Sequence, residues 1–257
     1  MKKFKRYITL ATIIILLFWA MGNVDIDIVD MFRSVPNLFD LLKSAYPPDI
    51  SILPKVVKPL LETLQIAFIA IVLASIAALP CALLASKNIV KRKSITQTMK
   101  IILGVLRGVP PLLYALIFIS VVGLGPLAGI LALVAHVTGA LGRFVSESIE
   151  TLDMNPIEAM KIDGASKIQT IIHGVIPGIA PFLAGYILYY MEYCIRTSTI
   201  LGLVGAGGIG AMLINAVHLF QFQKAAMILI VVLVIIVVAD KLSSILRAKI
   251  IDENRMI

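Results

Sequence analysis

The sequence predicts an all-α bundle of about six helices that crosses a membrane, and three observations predict it. Of its 257 residues, 60% are hydrophobic and 15% charged, where a soluble domain has roughly half and a quarter. Mean hydropathy is +0.99, so the apolar surface exceeds what one water-soluble core can bury. The apolar residues gather in six runs, roughly 7–23, 61–86, 101–122, 127–144, 176–195 and 224–240. Each is near the length a helix needs to cross about 30 Å of hydrocarbon. None alternates strictly, as a barrel strand would.

The first run follows Lys2, Lys3, Lys5 and Arg6. It resembles a signal peptide but lacks a small-x-small cleavage site, so it reads as an uncleaved anchor. Tyr7 and Trp19 read as interface anchors. The segment 24–59 carries Asp25, Asp27, Asp30, Asp40 and Asp49 and reads as external. Within it, Pro47, Pro48, Pro54 and Pro59 are expected to block a regular helix until Leu60. Residues 1–45 then form an anchor helix with an external linker, and 46–257 the main transmembrane domain.

Lys and Arg set the orientation. The head is basic, and so is the connection after the second run, with Lys87, Lys91, Arg92, Lys93 and Lys100. The tail has Lys241, Arg247, Lys249 and Arg255. Placing all three inside gives an even number of crossings with both termini cytoplasmic. Parity then puts the connection between runs four and five in the cytoplasm. The net charge of +8 lies beside apolar runs rather than along a polar face, which excludes nucleic acid and fits the lipid bilayer. Cys81 and Cys194 lie in apolar stretches without a CxxC or a histidine at ligand spacing; they read as packing residues, and no metal site is expected.

The stretch from about Glu147 to Pro177 is long for a connector. Asn155 is placed to cap a helix with Pro156 and Glu158 in its first turn. Gly164 permits a turn at positive φ. A second short helix is expected from Ser166, with Ile168, Ile171 and Ile172 on one face, closed by Pro177 at the next membrane helix. Such an exposed hairpin suits docking into a groove on a partner.

Glu158-Ala159-Met160, Gly164 and Ile176-Pro177 resemble the "EAA" loop of ABC importer permeases: Glu-Ala-Ala, three residues, Gly, nine residues, then Ile-x-Leu-Pro. Met160 stands for the second Ala, Gly174 for the Ile and Ile176 for the Leu. Arg107-Gly108-Val109-Pro110-Pro111, Gly123–Gly129 and Thr199–Gly210, with Pro47-Pro48, resemble the phosphonate permease family over roughly residues 46–240. The resemblance implies that Asn155, Glu158, Ala159, Gly164, Ala165 and Pro177 couple to an ABC ATPase subunit. It implies two ATPase subunits that use the ATP and Mg, a second permease copy forming a homodimer, and an extracytoplasmic binding protein that delivers a phosphonate or related oxyanion. The place would be a bacterial inner membrane, and no cofactor is expected in this chain.

Other features bear on the pathway. Gly205, Gly207, Gly208 and Gly210 match a dinucleotide fingerprint, but no βαβ unit surrounds them; they read as a close helix contact or re-entrant turn lining the route. Ionisable groups within spans cost roughly 2.5–3.5 kcal/mol at the membrane centre. Glu192 and Arg196, four apart, are expected to pair on one helix, as a local pair or a gate. Arg107 reads as a residue near the cytoplasmic end of the third crossing that snorkels or meets the pathway. His136 reads as a packing residue or a pathway contact. There is no Walker P-loop, HExxH or GxSxG with a base, so no catalytic residue is assigned and the chain is not read as an enzyme. The function expected is ATP-driven import of a small oxyanion. The alternatives are an ABC permease for an amino acid such as methionine, and an ion-gradient-driven secondary transporter.

Overall fold

A computed structural model describes residues 2–23 and 33–253. These residues form helices and turns, with no strand among them. They fall into two units, Met1–Pro47 and Pro48–Ile257.

The first unit holds α1 (Lys2–Asn23) and α2 (Val35–Ser44). Lys5–Asn23 is long and apolar enough to span a membrane, and Trp19 and Tyr7 are exposed on it. Asp25, Asp27 and Asp30 lie outside the described residues. The linker contains a helix that the sequence reading missed. Pro36 sits in the first turn of α2, where its missing N–H is no loss. Leu38, Leu41 and Leu42 recur at helical spacing and stay exposed.

The second unit opens at Asp49, whose carboxylate accepts from Ser51 N–H at 3.0 Å and Ser51 Oγ at 2.6 Å. Those bonds hold its pKa below the usual carboxylate value. A 3₁₀ turn, Ile50–Ile52, leads into α3 (Leu53–Ala85). The prolines therefore do not delay the helix to Leu60. Pro54 occupies its first turn, and Pro59 lies inside it, where loss of one ladder bond is tolerated.

Next come α4 (Lys93–Gly108) and α5 (Pro111–Val122). The run 101–122 is expected as one crossing; the structure bends it by 87° between the two helices. The cause is local. Pro110 and Pro111 have no N–H to continue α4, and residues before proline favour extended backbone, as Val109 does with ψ 125°. Then follow α6 (Pro126–Glu150), α7 (Asn155–Ile162), α8 (Lys167–Thr170), a π-helical turn (Ile171–Val175), α9 (Ile176–Gly202), α10 (Gly208–His218) and α11 (Phe222–Glu253). Five stretches can span a membrane by length and composition, or six when the bent α4–α5 pair counts as one.

The core lies among α3, α6 and α9. Ala67, Ala70, Ala74, Ala78 and Ala82 form a buried stripe on α3. Small side chains let helices approach closely, the main route to tight packing in lipid, where burial of apolar surface no longer drives association. On α6, a Cβ at Gly139 would stand 2.6 Å from Arg107 N, and one at Gly142 would stand 2.8 Å from the Leu103 side chain. Those two positions seat α4 across α6.

Long-range bonds fix which connections share an end. Asn88 Nδ2 donates to the carbonyls of Ile149 and Glu150 at 3.2 Å each, so the basic connection and the end of α6 meet. At the opposite end Gly125 N–H donates to Gly205 O at 2.9 Å, and Asp49 N–H to Gln223 O at 3.1 Å.

Candidate functional site

The hairpin between α6 and α9 is built as a rigid turn. α7 begins at Asn155, but Asn155 does not cap it. Asp153 does the nearby work, its carboxylate accepting Asn155 N–H at 3.0 Å. Asn155 is drawn into the first turn beside Pro156. The other end of α7 closes on Gly164, at φ +88°. Gly164 N–H donates to Lys161 O at 3.2 Å and Ala165 N–H to Met160 O at 3.0 Å, the paired bonds of a Schellman stop. Glu158 and Ala159 are exposed on α7.

Ser166 then opens α8 with a reciprocal cap. Gln169 N–H donates to Ser166 Oγ at 3.4 Å, and Ser166 N–H donates to Gln169 Oε1 at 2.8 Å. The Ser-x-x-Gln pattern was there to be read in the sequence. The expected separate second helix is not separate: α8, the π turn and α9 run on as one helical stretch, Lys167–Gly202. Pro177 therefore lies in the first turn of α9 and does not interrupt the path. A π turn leaves carbonyls out of the i−4 ladder, and that arrangement accommodates a proline just beyond it. Ile162, Ile168 and Ile172 stand exposed at 85%, 70% and 49%, while Ile171 is half-buried. The hairpin thus presents apolar side chains among Glu158, Lys161, Asp163 and Lys167.

Two of its three departures from the loop pattern, Met160 and Gly174, lie against each other. A Cβ on Gly174 would stand 3.3 Å from Met160 Sδ and 3.2 Å from Ile157 Cγ1. A larger residue on α7 and a smaller one on the π turn fill the same space.

The bend between α4 and α5 gathers a second constellation. Arg107, in the last turn of α4, places its guanidinium 5.8 Å from the centre of the Phe144 ring. His136 Nδ1 bonds Val109 O at 3.1 Å, and His136 Nε2 bonds Tyr193 Oη at 3.2 Å, with the two rings stacked at 5.7 Å. Both ring nitrogens are thereby engaged. Tyr114 Oη donates to Leu106 O at 3.1 Å. Arg107 and His136 are legible as candidates from the sequence, but no signal there marks Tyr114 and Tyr193, which complete the cluster.

On α9, Arg196 Nη2 donates to Glu192 Oε1. The Glu192 side chain is 9% exposed and that of Arg196 53%, so the pair joins a buried acid to a half-free guanidinium. Gly205, Gly207 and Gly208 all take positive φ, at 94°, 82° and 69°, in the turn from α9 to α10. A Cβ on Gly207 would stand 2.7 Å from Glu62 Oε1. Gly210 faces the Thr199 backbone too closely for any side chain. Ile209 N–H donates to Thr63 Oγ1 at 2.8 Å, tying the turn to α3. Among the described residues no group of three or more metal-ligating side chains occurs.

The model of the family described as "binding-protein-dependent transport system inner membrane component" matches residues 70–252. The chain belongs to this family. The permease is similar to HtxC of Stutzerimonas stutzeri, provisionally named a phosphite transport system permease protein: 37% identical over 98% of this chain and 89% of that protein. It is 34% identical to the phosphite transport system permease protein PtxC of the same organism, over 91% of this chain and 85% of the relative. It is 32% identical to the phosphate-import permease protein PhnE of Mycolicibacterium smegmatis, over 92% of this chain but 44% of the relative. An inward-facing structure of the MetNI methionine ABC transporter shares its fold, with a TM-score of 0.70 and 18% identity over 79% of this chain and 99% of that one. The permease is accordingly a multi-pass inner-membrane component of an ABC transporter, and its family works with a binding protein, an ATPase and a second permease.

Proposed function

We propose that this permease carries a phosphite-, phosphonate- or phosphate-like oxyanion inward, driven by ATP hydrolysed on separate subunits. One observation carries the substrate class: three relatives that each match at least 91% of this chain are all named for phosphorus oxyanions. The likeness to the methionine transporter, at 18% identity, is a likeness of fold and gives the amino-acid reading less support.

In this reading the Asn155–Lys167 hairpin docks in a groove of the ATPase, which holds the ATP and Mg; this chain needs no cofactor and performs no hydrolysis. The exposed Ile162 and Ile168 would fill the groove, and Glu158 and Lys161 would set its register. Two identical copies form the pathway. Residues 1–45 serve as anchor and external linker, and 46–257 as the transmembrane domain. Both termini and the hairpin face the cytoplasm, as the basic connection at the hairpin's end of the bundle favours. An anion passing the spans would meet the half-exposed fork of Arg196 and the guanidinium of Arg107, planar donors matched to oxyanions. His136, bonded through both nitrogens, braces the bend. The glycine turn at Gly205–Gly210 supplies the tight contact that opens and closes.

The test is uptake into proteoliposomes holding the permease, its ATPase and its binding protein. ATP-dependent accumulation of phosphite, phosphonate or phosphate that needs all three components is the expected result. Accumulation by the permease alone on an ion gradient, or of methionine in place of the oxyanions, would overturn the proposal.

A further inference from the structure

At the end of the bundle that carries the basic connection, a cavity of about 860 Å³ opens between that connection, α4 and α6. Its lining includes Lys87, Lys91, Lys93, Lys100 and Arg143. Two of these cations are already matched. Lys100 Nζ lies 2.7 Å from Glu150 Oε1, and Arg143 Nε lies 2.5 Å from Glu147 Oε1. Lys91 and Lys93 have no acidic partner among the described residues and are exposed. The cavity also adjoins the start of α4, from which Lys93 and Thr96 line it. No side chain caps that end, and no acid stands in its first turn, so the positive end of a 16-residue helix adds to the field. Lysines placed only to orient the chain would need no common cavity; these share one.

The lining is not wholly charged or polar. Val90 and Ile101 also line the cavity. From Ile101 an exposed stripe continues one helical turn along α4 to Val105, each residue 60% exposed. A free inorganic anion would have no use for that stripe, whereas an amphiphile would cover it. We propose that the cavity holds the phosphate of an anionic phospholipid, with Lys91 and Lys93 as its cations and an acyl chain along Ile101 and Val105. Basic recesses between membrane helices fit such headgroups. None of the candidate pathway residues lines the site, and its occupancy ties α4, the helix that bends at Val109, to the bilayer.

The test uses the complete transporter with its ATPase, stripped of lipid in detergent and titrated with phosphatidylglycerol or phosphatidylcholine, with bound lipid counted by native mass spectrometry. Phosphatidylglycerol is expected to bind in preference to phosphatidylcholine. K91Q/K93Q should bind it about 30-fold more weakly, K91R/K93R should restore it, and K241Q/K249Q, at the basic tail, should leave it unchanged. Co-purification of the ATPase checks that each variant is inserted. Equal retention of both lipids, displacement of phosphatidylglycerol by equimolar inorganic phosphate, or unchanged binding in K91Q/K93Q would overturn the proposal. The wild-type lipid preference and phosphate competition decide it even where a variant inserts poorly. None of these readouts depends on which solute is transported.

Discussion

The Tyr114 hydroxyl donates to the Leu106 carbonyl at 3.1 Å, and Leu106 O is the acceptor that Pro110, lacking an N–H, leaves without an intrahelical donor. The last ladder bond of α4 is Val109 N–H to Val105 O, at 3.3 Å. Beyond it the carbonyls of Leu106, Arg107, Gly108 and Val109 have left the ladder, in a setting without bulk water. Tyr114 takes that of Leu106, and His136 takes that of Val109. The bend is therefore held from α5 and α6.

Removing either partner should loosen it. Tyr114→Phe is expected to lower stability by about 1 kcal/mol, the value of one hydrogen bond. His136→Phe should cost more, because it releases both Val109 O and Tyr193. Denaturation of the purified permease in detergent measures both; a Tyr114→Phe protein as stable as the parent would show that Leu106 O has another partner.

Gly164 tests the hairpin through backbone alone. A Cβ there meets nothing within 4 Å, so any penalty comes from φ +88°. Ala in that conformation costs about 1–2 kcal/mol, while Asn tolerates it better. ATPase association should fall in the order Gly, Asn, Ala, with Gly164→Pro abolishing it, while membrane insertion persists in all. Pull-down of the ATPase reads the order, and full association of Gly164→Pro would remove the hairpin from the docking surface.

Met160 and Gly174 should behave as one unit. Gly174→Ile alone overfills the space against Met160 and Ile157, at a cost of about 1–3 kcal/mol. Met160→Ala alone leaves a gap. The double variant, which restores the loop pattern at these two positions, should recover most of the loss. A double-mutant cycle with coupling near zero would mean that the two positions adapt independently.

Glu192 and Arg196 give the fourth test. Breaking a buried pair strands a charge, but Arg196 is half-exposed, so the cost falls to about 1–2 kcal/mol. Transport should drop in Glu192→Arg and in Arg196→Glu, and partly return when both are made together. Equal losses in all three would separate the pair's geometry from its role.

What the sequence made legible follows a physical line. Long apolar runs and Lys/Arg placement report directly on spans, and Gly164 reports on its turn, because each depends on local chemistry. Pro54 and Pro59 misled, since a proline tolerated in a first turn or a lipid-embedded helix looks like one that ends a helix. Pro110-Pro111 did mark a break, but the 87° bend they cause is braced by Tyr114 and by His136, the second of which is near only in space. Asn155 and Asp153 both suit a cap, and only the fold chooses. The seat formed by Gly139 and Gly142 needs the partner helix to be seen at all.

The unbroken stretch from Lys167 to Gly202 has a mechanical consequence. At about 1.5 Å per residue its 36 residues reach about 54 Å. It starts at the capped turn after Gly164 and ends at the turn that contains Gly205 and Gly207. Such a part has the form of a connecting rod: no loop lies between its tips to absorb a displacement of either one. The π turn at Ile171–Val175 and Pro181 are the two places where this rod leaves the regular ladder, so any change of its direction is set there.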